Sequence, residues 1–119
     1  AQGMSFMMLK PVQHNLLLLL GWLQLQCGQP ARARIFLEAV LAVEPAHRQA
    51  RRALVVALLQ LEEGELAERQ CERLLTQGEK DVALWDCVSR ACQLQGRIAD
   101  ARVAFERFLS QRESHEGAL

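Results

Sequence analysis

Apolar residues recur along this chain at steps of three and four, in six stretches, most of them closed by a glycine or a proline. That spacing lays one side of an α-helix against a core. The first predicted helix runs from about Gln13 to Cys27 and stops at Gly28, with Pro30 opening the next at a helix start. The second runs from about Ala31 to Val43, its stripe formed by Ala33, Phe36, Leu37, Val40 and Leu41. Pro45 ends it, because proline lacks the N–H that a continuing helix needs. A third helix is expected over Arg48 to Glu62, with Leu54, Val55, Leu58, Leu59 and Leu61 apolar and Gly64 in the turn. A fourth covers Glu65 to Thr76, with Leu66, Ala67, Cys71, Leu74 and Leu75 on its inner side and Gly78 after it. The fifth and sixth, about Val82 to Gln95 and Ile98 to Gln111, are parted by Gly96. The polar end from Arg112 to Leu119 is expected to fray.

The stretches also repeat. Slid against itself by 68 residues, the chain brings Gly28 onto Gly96, Ala33 onto Ala101, Leu37 onto Phe105 and Leu17 onto Trp85. That offset is twice the period of a tetratricopeptide unit, a helical hairpin that cannot bury its apolar side alone. The pattern of that family is legible in the first unit as Leu17, Leu20-Gly21, Gln24, Ala33, Leu37 and Pro45. The third unit offers Trp85, Val88-Ser89, Cys92, Ala101 and Phe105, with Glu113 in place of the proline. The second fits through Ala53, Val56-Ala57 and Gln60, then Cys71 and Leu75, if its turn has gained two residues between Glu62 and Leu66. Small residues at Gly21, Ala57, Ser89, Ala33 and Ala101 would let paired helices approach closely. The expected fold is all-α, a right-handed superhelix of three tetratricopeptide-like hairpins over about 14–47, 50–81 and 82–115. These form one domain, 13–115, between an N-terminal segment 1–12 and a flexible tail 116–119. Ala1-Gln2-Gly3 ahead of Met4 reads as a cloning remnant.

Composition narrows the function. The 119 residues suffice for one modest core, and the 14 basic and 14 acidic residues balance. Without a basic excess, the attraction that nucleic-acid binding requires is missing, so no nucleic-acid partner is expected. Leu16 to Leu23 is the most apolar run, too short to span a bilayer and closed by Gln24 and Gln26, so no direct membrane insertion is expected. No signal peptide is legible either, which points to a soluble, intracellular protein. Cys27, Cys71, Cys87 and Cys92 make no Cys-x-x-Cys, and the three histidines do not complete a metal set with them. Cys87 and Cys92 lie about 140° apart on a helix, and all four read as small hydrophobes of a reduced core. No metal and no cofactor are expected. His14, His47 and His115 have no arranged nucleophile, and no phosphate-binding loop exists, so the chain is not read as an enzyme. Glu62, Glu63 and Glu65 read as a solvated charge run at a turn.

The string Leu19-Leu20-Gly21-Trp22-Leu23-Gln24-Leu25-Gln26-Cys27-Gly28, then Ala31-Arg32-Ala33 and the Glu44-Pro45 turn, resembles the YscY family of type III secretion chaperones. The resemblance continues through Arg51-Arg52, the third-helix leucines and Gly64-Glu65. It resumes at Trp85, Ser89-Arg90-Ala91, Gln93-Leu94-Gln95-Gly96 and Ala101-Arg102. It implies a small cytoplasmic protein of a Gram-negative bacterium that binds a YscX-type secreted partner as a heterodimer. The pair would contact the export-gate protein of the type III apparatus as a ternary partner. A neighbouring alternative is a tetratricopeptide chaperone of translocator proteins, which usually has a longer N-terminal helical region. A more general one is a tetratricopeptide scaffold for a short peptide or a carboxylate terminus, which would want a basic groove.

In such an array the first helix of each hairpin lines the hollow side. The inward residues are then Asn15, Leu18, Trp22 and Leu25 in the first unit, and Arg51, Leu54, Leu58 and Leu61 in the second. In the third they are Ala83, Asp86, Arg90 and Gln93. The groove reads apolar over two hairpins and polar over the third, suiting the apolar side of an amphipathic helix. Trp22 is either the anchor of that ligand or a core residue between hairpins. Asp86 and Arg90 either pair with one another or face the ligand, and Arg51-Arg52 either clamp a carboxylate or stand solvated. The apolar segment Met4 to Leu9 either caps the array or joins an interface.

Overall fold

Three-residue turns of one design organise the chain. The computed structural model describes the backbone over residues 2–117 and the side chains over residues 12–114. The helices are α1 (Gln2–Gln26), α2 (Pro30–Val43), α3 (Arg48–Gln60), α4 (Gly64–Thr76), α5 (Ala83–Leu94) and α6 (Ile98–Gly117), with no strand among the described residues. The centres of the turns closing α1, α3 and α5 are residues 28, 62 and 96, a strict period of 34.

Each of these turns hydrogen-bonds alike. Gly28 N–H donates to Leu25 O and Gln29 N–H to Gln24 O; Glu62 and Glu63 do the same to Leu59 and Leu58, and Gly96 and Arg97 to Gln93 and Cys92, all at 2.8 to 3.1 Å. This Schellman pairing satisfies carbonyls that a helix end would otherwise strand, and it needs a left-handed residue at its centre. The central φ is 71° at Gly28, 75° at Gly96 and 61° at Glu62. The middle turn is therefore the same length as its neighbours, and the two inserted residues expected there do not exist. A glutamate standing where the other turns have glycine hides the register.

With the period strict, Ala33, Ala67 and Ala101 become equivalent and all three are buried. Leu17, Arg51 and Trp85 become equivalent too, as do Gly21, Val55 and Ser89. Every helix packs on the next in sequence, and α3 also touches α1 and α5. Ala33 and Leu37 of α2 meet Ala53, Leu54, Ala57 and Leu58 of α3, with Ala67 of α4 and Ala91 of α5 joining the same cluster. Val55, Cys71, Leu74 and Leu84 form a second cluster. Burying a leucine such as Leu37 or Leu58 contributes about 1.5–3 kcal/mol.

Small residues sit where helices come closest. A Cβ on Gly21 would fall 2.8 Å from Leu37 Cδ2, so α1 rests directly on α2 at that point. A Cβ on Gly64 would fall 2.8 Å from the Ala91 carbonyl oxygen, which brings the first turn of α4 against α5. Ser89, buried, donates its hydroxyl to the Ala101 carbonyl at 2.8 Å and so ties α5 to α6. Glu68 of α4 accepts from Arg97 at 2.6 Å and from Gln95 at 3.1 Å, pinning the last turn to the middle hairpin. Burial alone would raise the Glu68 carboxyl, but these donors outweigh it and hold the group below its ordinary value.

Both ends of the fold depart from expectation. The backbone of residues 2–12 is the start of α1 rather than a separate segment, while the side chains of Met4 to Leu9 lie outside the described residues. The polar end expected to fray from Arg112 belongs to α6 as far as Gly117; residues 118–119 lie outside the described residues.

Candidate partner-binding groove

Because α1, α3 and α5 lie side by side, the residues they turn away from α2, α4 and α6 line a common groove. Its main cavity, about 810 Å³, is walled on α1 by Asn15, Leu18, Leu19, Trp22, Leu25 and Gln26. Gln49, Arg52, Ala53, Val56 and Gln60 of α3 form its floor, and Ala83, Leu84 and Cys87 of α5 its far wall. A second hollow of about 500 Å³ shares Val56, Gln60 and Cys87 with the first and adds Leu59, Arg90, Gln93 and Leu94. The two make one continuous depression from α1 to α5.

Periodicity located the α1 wall. Asn15, Leu18, Trp22 and Leu25 all border the groove, and Trp22 is 52% exposed at its mouth. Leu18 and Leu25 also lean on the core cluster beneath, so they are half-buried. On α5, Ala83, Arg90 and Gln93 border the groove. Asp86 is beside them, its carboxylate 3.6 Å from Arg90 Nε.

The four residues expected from α3 require correction. Leu54 and Leu58 are each 2% exposed inside the core, Arg51 is 3% exposed, and Leu61 falls in the turn closing the helix. A two-residue slip rotates a helical stripe by about 200°, which exchanges the groove side for the core side. Adding 34 to the α1 positions would have found the floor: Asn15, Leu18, Leu19, Trp22 and Gln26 map to Gln49, Arg52, Ala53, Val56 and Gln60. Leu19, Gln26, Leu84, Cys87 and Leu94 were missed as well, being adjacent to the chosen positions on the same helix side. The floor is accordingly mixed in polarity, not the leucine surface anticipated over the second hairpin.

The paired arginines part company. Arg51 donates to Gln70 Oε1 and to the Pro45 carbonyl, locking α3 to α4 and to the preceding loop. Burial first, and the charge of Arg73 second, bring its guanidinium below the ordinary arginine value. Arg51 is thus a structural group and no clamp for a ligand carboxylate. Arg52 sits on the groove floor and pairs with Asp81 at the rim. Burial pushes the Cys87 thiol up, and the nearby Asp86 carboxylate adds to this, so the thiol stays protonated and acts as a small apolar contact. Among the described residues no cluster of His, Cys, Asp or Glu is placed to hold a metal ion, and no helix is long and apolar enough to cross a membrane.

Such a groove can receive an elongated ligand with apolar residues against Leu19, Trp22 and Val56 and polar ones toward Arg90 and Gln93. No family model matches the chain. It is similar to Chaperone protein YscY of Yersinia enterocolitica, at 42% identity over 104 residues that cover 87% of this chain and 91% of that protein. Chaperone protein YscY of Yersinia pestis is similar to the same extent, with the same coverage of both chains.

Proposed function

The chain belongs to the YscY family of type III secretion chaperones, and from that premise we propose that its groove holds an amphipathic helix of a YscX-type secreted protein. In this reading the three hairpins form a right-handed tetratricopeptide superhelix. The chaperone and its client form a cytoplasmic heterodimer, and the pair meets the export gate of the type III apparatus. A chaperone of this kind works by occupancy alone: it covers an apolar helix that would otherwise aggregate, and releases it without chemistry.

One observation carries the proposal. Trp22, a large rigid ring on the least charged helix of the chain, stands half-exposed at the mouth of a groove floored by Val56. Tryptophans in that setting dominate binding energies because burying them costs little side-chain entropy. Truncating such an anchor costs about 2 kcal/mol or more, roughly thirty-fold in Kd.

The test is co-purification and titration with a YscX-type protein. Trp22→Ala and Val56→Asp should each weaken the complex while the helical circular dichroism of the free chain is unchanged. Leu58 would be a poor choice, since a charge there destroys the core. Full affinity in both variants would refute the groove as the client site. Capture of the cytosolic part of the export gate by the pair, but not by the chain alone, tests the delivery step.

A further inference from the structure

A second apolar stripe runs along α1 on the side away from the core, and only Leu19, at its edge, also borders the groove. Val12, Leu16, Leu19 and Leu23 are all between 49% and 61% exposed. Their spacing of four, three and four places them within about 60° of arc on the helix. The opposite side of α1 faces inward, where Gly21 meets Leu37 and Leu18 and Leu25 lean on the core. Among the described residues no other helix covers Val12, Leu16 or Leu23, although the spacing of the stripe is that of a helix-packing seam.

Two features identify what fits there. The first is charge: from Pro11 to Ala31 the chain contains no Asp, Glu, Lys or Arg. His14, the one titratable imidazole of this stretch, turns to the other side, 3.6 Å from Glu44. A two-fold contact uses the same surface twice, so a charged residue in the seam would be desolvated in both copies, each time without a partner of opposite sign. The second feature is symmetry of spacing. Reversing the order four, three, four leaves it unchanged, so an antiparallel copy brings Val12 opposite Leu23 and Leu16 opposite Leu19. The surface is complementary to itself.

We infer that α1 is a self-association surface, through which two copies of this chain pair antiparallel about a two-fold axis between Leu16 and Leu19. The pairing buries the free side of a helix that is apolar nearly all round, which is the condition of an interior helix. It does not require the groove to be occupied. Its failure and the failure of client binding are therefore separable.

The experiment is the molar mass of the client-free chain by size exclusion with light scattering, over a dilution series from millimolar to low micromolar. The expected mass is twice 13.4 kDa at high concentration, falling toward the monomer on dilution. Leu16→Asp and Leu23→Asp should each give a monomer with unchanged circular dichroism. Ile35→Asp, an exposed site on α2 outside the stripe, should pair like the wild type. The register has its own check: Leu16→Glu and Leu19→Lys should each be monomeric alone and pair when mixed. A wild-type monomer at every concentration overturns the inference, as does pairing that survives both Asp changes. A mixture that stays monomeric overturns the antiparallel seam. If the chain alone is monomeric and Leu16→Asp only weakens client binding, the stripe belongs to the client and the second copy is the wrong occupant.

Discussion

Replacing Glu62 by glycine should stabilise the protein. Glu62 holds φ 61°, while the equivalent residues of the flanking turns, Gly28 and Gly96, hold 71° and 75°. A side chain in the left-handed region costs roughly 1–2 kcal/mol, because Cβ crowds the following carbonyl oxygen. Against this, glycine loses about 0.5–1 kcal/mol of extra backbone entropy on folding. The difference favours Glu62→Gly by about 0.5–1 kcal/mol, or a rise of a few degrees in Tm for a domain of this size. Glu62 also lies just ahead of α4, whose N-terminus attracts its charge by a few tenths of a kcal/mol. Glu62→Ala removes that charge and keeps the backbone strain, so it isolates the conformational effect. Gly28→Ala supplies the reverse experiment. A Cβ there meets nothing within 4 Å, so its cost, about 1 kcal/mol, is conformational alone. Urea titrations of the three variants and the wild type measure all four stabilities, provided the slopes agree. If Glu62→Gly is no more stable than Glu62→Ala, the strain argument fails.

Four further outcomes follow from the packing and the titratable groups. Gly64→Ala should destabilise by about 1–3 kcal/mol in the same urea assay, since its Cβ would meet the Ala91 backbone at 2.8 Å and neither helix can give without parting α4 from α5. Glu68 is held below its ordinary carboxylate value, so its contribution is complete above that value and is lost as pH falls through the lower folded one. Wild-type stability should therefore drop more steeply than that of Glu68→Gln below about pH 4.5, with the two converging at the acid end; parallel pH profiles would refute this. Cys71, fully buried with its thiol pushed up to about 12, should react with a thiol reagent only as fast as the protein opens, whereas exposed Cys27 should react at once. Cys87, on the groove wall, should become slower to label when a client is bound.

The elements of α2 to α5 were legible to within a few residues, because proline and glycine punctuate them and their apolar spacing is regular. The α1 wall of the groove was legible for a related reason: Leu18, Trp22 and Leu25 form a clear stripe, and Gly21 marks the side that must lie close to another helix. The α3 floor was not. Its turn has Glu62 where a glycine would have shown the register, and its small-residue position is occupied by Val55, which made Ala57 look equivalent to Gly21 and Ala53 to Leu17. Arg51 misled in the same way, since an arginine reads as surface until its partners, Gln70 and Pro45, are seen to enclose it.

Residue order alone determined that this chain is helical, that it repeats, where most turns fall and which family it belongs to, since these rest on local propensity, punctuation and shared words. The side that each helix presents to its neighbours was decided by the tertiary structure. In α3, flanked by α1, α2, α4 and α5, apolar residues occupy most of the circumference, so periodicity has no single answer and only the packing of the flanking helices selects Val56 for the groove and Leu58 for the core. For α1 the opposite holds: its sequence reads as buried all round, and only the fold reveals that one of its apolar sides is left facing water.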